Sequence, residues 1–205
     1  MRRTVVVKTF ALLLLASSSL SAQSWEMPTF HSPRPGEDIG IYVIRPEGVD
    51  DLGFAAIWRM EGNLNLGVRG GYAQDYWSLG AEFYRPIPLG TDGLLVSGVA
   101  GLGASFNGAT MLRVPLGVSV GLAFGSPGGV QLLPYAHPRV ALDVLAYNLP
   151  DGREQTDTDV RFEIDLGADA RLGDAFVVRV GATLGDANTF GAGLAYRFSR
   201  RLIVR

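Results

Sequence analysis

From Ile39 to Phe198 the chain alternates apolar residues with polar or small ones, with a period of two. The stretch 160–172, VRFEIDLGADARL, puts Val160, Phe162, Ile164, Leu166, Ala168, Ala170 and Leu172 on one face. Arg161, Glu163, Asp165, Gly167, Asp169 and Arg171 fall on the other. A strand keeps these two sets apart, whereas a helix would scatter both around its circumference. The same split recurs in NLNLGVRGGY, YWSLGAEFY, MLRVPLGVSVGLAF and FVVRVGATL. It predicts ten strands, near 39–45, 53–61, 63–73, 75–85, 93–106, 110–124, 130–147, 158–172, 175–185 and 188–198. Turn residues such as EGN, AQD, NGA, GSPGG and GDAN separate them, as hairpins require. No helix-length segment with a 3.6 period follows residue 22.

Alternation alone does not say which face meets water. A soluble barrel turns its apolar face inward, and a membrane barrel turns it to lipid. Two features favour lipid. The non-apolar face is rich in glycine (Gly101, Gly103, Gly117, Gly121, Gly167 and Gly181) and in arginines with acids, which suits a narrow lumen. The apolar face also bands its aromatics. With the chain starting in the periplasm, Phe54, Trp77, Phe106, Phe162 and Phe190 fall near the outer rim. Phe83, Phe124, Phe176, Tyr196 and Phe198 fall near the inner rim, with aliphatic residues between. Two aromatic girdles around an aliphatic band are what a bilayer selects.

The first 22 residues carry Arg2, Arg3 and Lys8, then TFALLLLA, then SSSLSA, which is the order of a secretory signal peptide cut after Ala22. The apolar run is much shorter than the ~20 residues of a spanning helix. The rest of the chain holds fifteen arginines against twenty acids, which argues against nucleic acid as a partner. There is no cysteine, and the two histidines are His31 and His137, so no metal site or cofactor is expected. Residues 23–38, with three prolines and no period, read as an extended periplasmic segment. Residues 199–205 form a C-terminal tail beyond the last strand.

The closing strand GAGLAYRF resembles the signal that outer-membrane barrels present to their assembly machinery, with Gly193, Tyr196 and Phe198 matching it. The segment LLPYAHPRVAL resembles the Pro-Tyr strand of small OmpA/OmpX-like barrels. The resemblance covers roughly 39–198. It implies a monomeric barrel in a Gram-negative outer membrane, in contact with membrane lipid and lipopolysaccharide.

The inward face carries Arg59, Arg69, Glu82, Arg113, Arg139, Asp143, Arg161, Glu163, Asp165, Asp169, Arg179 and Arg197. Such charges are costly in a narrow barrel unless paired. The connection 147–158 predicts a register pairing Asp143 with Arg161 and Arg139 with Asp165, and the GDA turn one pairing Asp169 with Arg179. Ser119 falls near His137 if GSPGG joins neighbouring strands, but no third group orients the imidazole, so His137 makes a poor hydrolase site. The acids Asp151, Glu154 and Asp157 match no calcium-loop spacing. Pro115, Pro134 and Pro138 sit inside strands, which implies bulges or a count of eight.

The whole reads as all-β: a closed, antiparallel, up-and-down transmembrane β-barrel, ten strands over eight, with a narrow charge-filled lumen. A structural or interaction role comes first, and a small passive pore second. A secreted soluble lipid-binding barrel or an outer-membrane hydrolase would follow, the soluble barrel requiring the arginines outside.

Overall fold

The computed structural model describes residues 27–198, apart from 35, 48, 63–64, 90–92, 107–108, 126–128, 150–151 and 187. The signal peptide and the tail 199–205 lie outside the described residues. The strands are β1 (Asp38–Arg45), β2 (Gly53–Met60), β3 (Asn65–Ala73), β4 (Tyr76–Pro86), β5 (Leu94–Phe106) and β6 (Thr110–Leu122). There follow β7 (Phe124–Gly125), β8 (Val130–Asn148), β9 (Glu154–Leu172), β10 (Phe176–Gly185) and β11 (Thr189–Arg197). Each pairs antiparallel with its neighbours, β1 pairs with β11, and β6 pairs with β8. The sheet therefore closes on itself, with ten full strands and the two-residue β7 continuing the line of β6.

Proline accounts for that break. Between β5 and β6 the pairing skips 101/115 and 102/114, then resumes in the same register. Between β6 and β8 it skips 118/138 and 119/137, again without a shift. It stops after Gly121↔Tyr135 and resumes at Phe124↔Leu132, leaving out Leu122 opposite Pro134. Each proline removes one ladder donor, so the carbonyls of Gly101, Val118 and Leu122 lose theirs. The sequence predicted bulges or fewer strands at these points, but the constant register needs neither.

The faces divide as the alternation requires. Among the described residues thirty-nine large apolar side chains stand exposed, all but Leu52, Ile87, Leu89 and Phe198 on the strands, a surface that a soluble chain would bury. The strand arginines, apart from Arg45 and Arg85 at strand ends, point inward, which removes the soluble-barrel alternative. β8 and β9 outreach their neighbours, and residues 154–160 are exposed throughout, so this hairpin projects beyond the rim. It closes through Leu149–Arg153, with Gly152 at φ 81° and its N–H donating to the Leu149 carbonyl at 2.9 Å.

Residues 27–34 depart from the expected periplasmic segment. They belong to no strand, the chain turns at Phe30 (φ 53°) with the Ser32 N–H donating to its carbonyl at 2.9 Å, and residues 27–33 are buried inside the barrel. Met27 and Phe30 join Tyr42, Ile44, Ile57 and Tyr76 in the apolar cluster of the lumen. The wall makes room for them with glycine. A Cβ on Gly121 would lie 2.9 Å from Pro33 Cγ, one on Gly191 3.0 Å from Phe30 Cζ, and one on Gly71 would collide with Met27 Sδ. Pro33 sits near the mouth where the strand ends Asp38 and Arg197 meet, and Met27 near the Ala73–Tyr76 turn at the other. The segment thus threads the barrel from one end to the other.

Candidate functional site

The lumen is the only part of this chain where charged side chains converge in bulk among the described residues. Its buried charges are six arginines (59, 69, 113, 139, 161 and 179) and six acids (Asp38, Glu82, Asp143, Glu163, Asp165 and Asp169). They balance, and they are knitted together. Toward the mouth holding the strand ends, Arg179 donates to Asp38 at 2.6 Å, to Asp169 at 3.2 Å and to the Tyr42 hydroxyl at 2.9 Å. Toward the other mouth, Arg113 grips Asp143 with two bonds of 2.6 Å and reaches Glu163 at 3.2 Å. Arg139 pairs with Glu163 at 2.8 Å and Asp165 at 3.1 Å. Paired guanidinium–carboxylate contacts of this kind offset the desolvation that burial imposes.

The inserted segment is tied into the same network. Arg59 Nη2 donates to the carbonyl of Phe30 at 2.9 Å, and Thr29 Oγ1 donates to Asp165 Oδ2 at 2.6 Å. The Ser119 hydroxyl donates to the His31 carbonyl. Glu82 faces His31 Nε2 at 3.4 Å and Arg69 at 3.2 Å, and accepts from the Tyr84 hydroxyl. The Phe30 ring stacks on Tyr42 at 4.4 Å. Between Met27, Tyr76, Ser105 and Arg113 lies a void of about 20 Å³, room for one water.

Of the charges expected inside, all but Arg197 are buried; Arg197 is half-buried at the mouth, beside Gly36. The register across the GDA turn sets Asp169 opposite Arg179, as expected. Across the long hairpin it is displaced by two residues. Asp143 opposes Asp159, and Arg139 opposes Glu163. The reason is that β8 and β9 continue to Asn148 and Glu154, leaving a connection shorter than the sequence implied. A shift of two preserves each side chain's face. The long guanidinium groups then span the diagonal, Arg161 to Asp143 at 3.3 Å and Arg139 to Asp165.

The ten aromatics assigned to the rims are all exposed on the outer wall. Tyr72 and Trp77 meet at 4.6 Å beside one mouth, and Phe176, Tyr196 and Phe198 form a chain of 5.7 Å contacts beside the other. Gly193 packs its bare Cα against Tyr42 across the β1–β11 seam.

The histidine reading changes in one respect. His137 Nδ1 lies 2.9 Å from Asp165 Oδ2, so an orienting carboxylate is present after all. Ser119 stands opposite His137 in the neighbouring strand, but its hydroxyl is committed to the insert. His31 packs edge-on against His137 at 4.6 Å. In the projecting hairpin Asp157 accepts from Tyr147 and Gln155, while Asp151 lies outside the described residues. No group of three metal-ligating side chains gathers among the described residues.

Sequence reasoning missed Asp38, Thr29, Phe30 and His31 as lumen residues. Asp38 was legible, since it shares the parity of Gly40, Tyr42 and Ile44. The insert had a fainter signal: inward glycines such as Gly71 and Gly181 that face only small residues in both neighbouring strands.

The family model for the outer membrane protein β-barrel domain matches residues 10–198. Among solved structures the chain is similar to the KdgM porin, at 9% identity over 79% of this chain and 99% of that one, with a TM-score of 0.45. It is also similar to the N-terminal β-barrel domain of Pseudomonas aeruginosa OprF, at 15% identity over 80% and 100%, with a TM-score of 0.40. Neisserial surface protein A follows at 12% identity over 80% and 98%, with a TM-score of 0.36. The comparison with curated proteins finds no match. With a family match over nearly the whole chain, a closed barrel and an apolar outer wall, this protein belongs to the outer-membrane β-barrel family, the class that its C-terminal strand resembled.

Proposed function

We propose that this protein is a structural or interaction barrel of the Gram-negative outer membrane, sealed against solutes by its own N-terminal segment. The observation that carries this reading is the insert of residues 27–33, buried and bonded on several sides within the lumen. The balance of six arginines and six acids supports it too, because an ion-selective constriction works through an excess of one sign. The mouth holding the strand ends faces the periplasm, and the β8–β9 hairpin faces the exterior, toward lipopolysaccharide. The signal peptide leaves after Ala22, and Gly193, Tyr196 and Phe198 engage the assembly machinery. The barrel works as a monomer and not as an enzyme, since the Ser119 hydroxyl, opposite His137 in the next strand, is held by the insert.

Conductance across planar bilayers tests the seal. The full mature chain is expected to pass no steady current, whereas a chain lacking residues 23–34 is expected to conduct. Steady current through the full chain would overturn the reading.

A further inference from the structure

The outer wall carries a groove of about 1110 Å³ that the sealed-barrel reading leaves unused. Its floor follows outward positions across six adjoining strands, from Arg85 in β4 and Gly98 in β5, past Val118 and Pro138, to Ile164 and Leu184. Gly98 keeps it open: a Cβ there would meet no atom within 4 Å. Five strand spacings of ~4.8 Å make it about 24 Å long. With strands tilted at ~40°, such a row climbs roughly 15 Å along the membrane normal, about half of a ~30 Å hydrocarbon core. The climb starts from the Arg85 end, so the part of the row around Arg85 and Gly98 lies in the leaflet on that side.

One end of the groove is charged. Among the described outward positions of the strands only Arg45, Arg85 and Glu154 are ionic. Glu154 belongs to the projecting hairpin, and Arg45 ends β1 at the far mouth. Arg85 instead lies next to the end of β4, on the side where Asp38 and Arg197 meet, between the exposed Phe83 and Ile87. A guanidinium held there between apolar neighbours sits at the boundary of hydrocarbon and headgroups, where it can take a phosphate with two parallel bonds.

We propose that this groove is a specific site for one anionic phospholipid of the leaflet on the side of the strand ends. Its phosphate lies on Arg85, and one acyl chain runs obliquely over Gly98 toward Ile164. The site is on the opposite face of the wall from the insert, and it stands whether or not the lumen is sealed.

The test is native mass spectrometry of the mature protein in detergent, offered phosphatidylglycerol, phosphatidylethanolamine or lipid A. The wild type is expected to retain phosphatidylglycerol in preference to the other two. Arg85→Gln should lower that retention by roughly tenfold, the weight of a charge-assisted pair. Gly98→Leu, whose Cβ would meet no atom within 4 Å, puts bulk into the groove and should lower retention with Arg85 still in place. Heat-modifiable gel mobility checks that both variants are folded, and Arg85→Gln decides alone if Gly98→Leu is not. Equal retention of the two phospholipids, a preference for lipid A, or retention unchanged in Arg85→Gln would each overturn the proposal.

Discussion

Phe30→Ala measures how firmly the insert is held. The ring is almost wholly buried, stacked on Tyr42 at 4.4 Å and seated against Gly181 and Gly191. A buried aromatic ring withdraws about 150–250 Å² from water, worth about 4–6 kcal/mol at ~25 cal/mol per Å². Alanine keeps the Cβ, and rigid barrel walls relax little around the void, so the loss should be about 3–5 kcal/mol. At ~1.4 kcal/mol per decade, the undocked population rises roughly a hundred- to several-thousand-fold. The polar ties from Arg59, Ser119 and Asp165 involve other atoms of the segment and remain available. Hydrogen exchange of the amides of residues 29–32 reads the change directly, and their exchange should accelerate by that factor while the strand amides keep theirs. Phe124→Ala is the control, because that ring lies on the outer wall and touches no insert residue. Acceleration below about threefold in Phe30→Ala would refute the packing argument, since it would mean that the ring contributes well under ~1 kcal/mol to docking.

Two further outcomes follow from charge. Arg179→Met leaves Asp38 and Asp169 without their shared cation, which should cost about 3–5 kcal/mol in urea unfolding, with part recovered when Asp169→Asn is added; a midpoint equal to wild type would show that the trio contributes little. Glu47 lies in the 46–52 loop, and burial pushes its carboxyl up from 4.5 to about 7 against the pull of Arg161 at 3.5 Å. The folded chain therefore holds this proton more tightly than the unfolded chain, so its contribution to stability is full below pH 4.5 and lost as pH rises through about 7. Glu47→Gln should flatten the fall in urea midpoint between about pH 5 and about pH 8, and a slope that persists in the variant belongs to another group.

Period-two alternation is written residue by residue. It was therefore enough to assign ten strands and to sort their residues onto two faces; the glycine-rich charged face and the banded aromatics then marked which face turned inward and which outward. It was also enough for the Asp169–Arg179 pair, because a three-residue turn leaves little freedom of register. Parity is equally satisfied by any even shift, and for that reason the long β8–β9 hairpin could slip by two residues from its expected register without exposing a charge. The strand prolines misled for a related reason: a missing donor is a local fact, while its tolerance depends on the ladder to either side holding register.

What fills the barrel was settled by closure of the sheet and not by local pattern. Local pattern suffices for the wall, since each residue's side of the sheet depends on its immediate neighbours. The volume enclosed depends instead on closure between β1 and β11, which lie at opposite ends of the chain. Once the wall closes, Asp38 reaches Arg179 and Thr29 reaches Asp165, contacts between residues more than a hundred positions apart. Inward Gly71, Gly121, Gly181 and Gly191, spread from one mouth to the other, then leave the space that Met27, Phe30 and Pro33 occupy. The segment MPTFHSP carries no period because its conformation is set by the cavity around it and not by a ladder of its own.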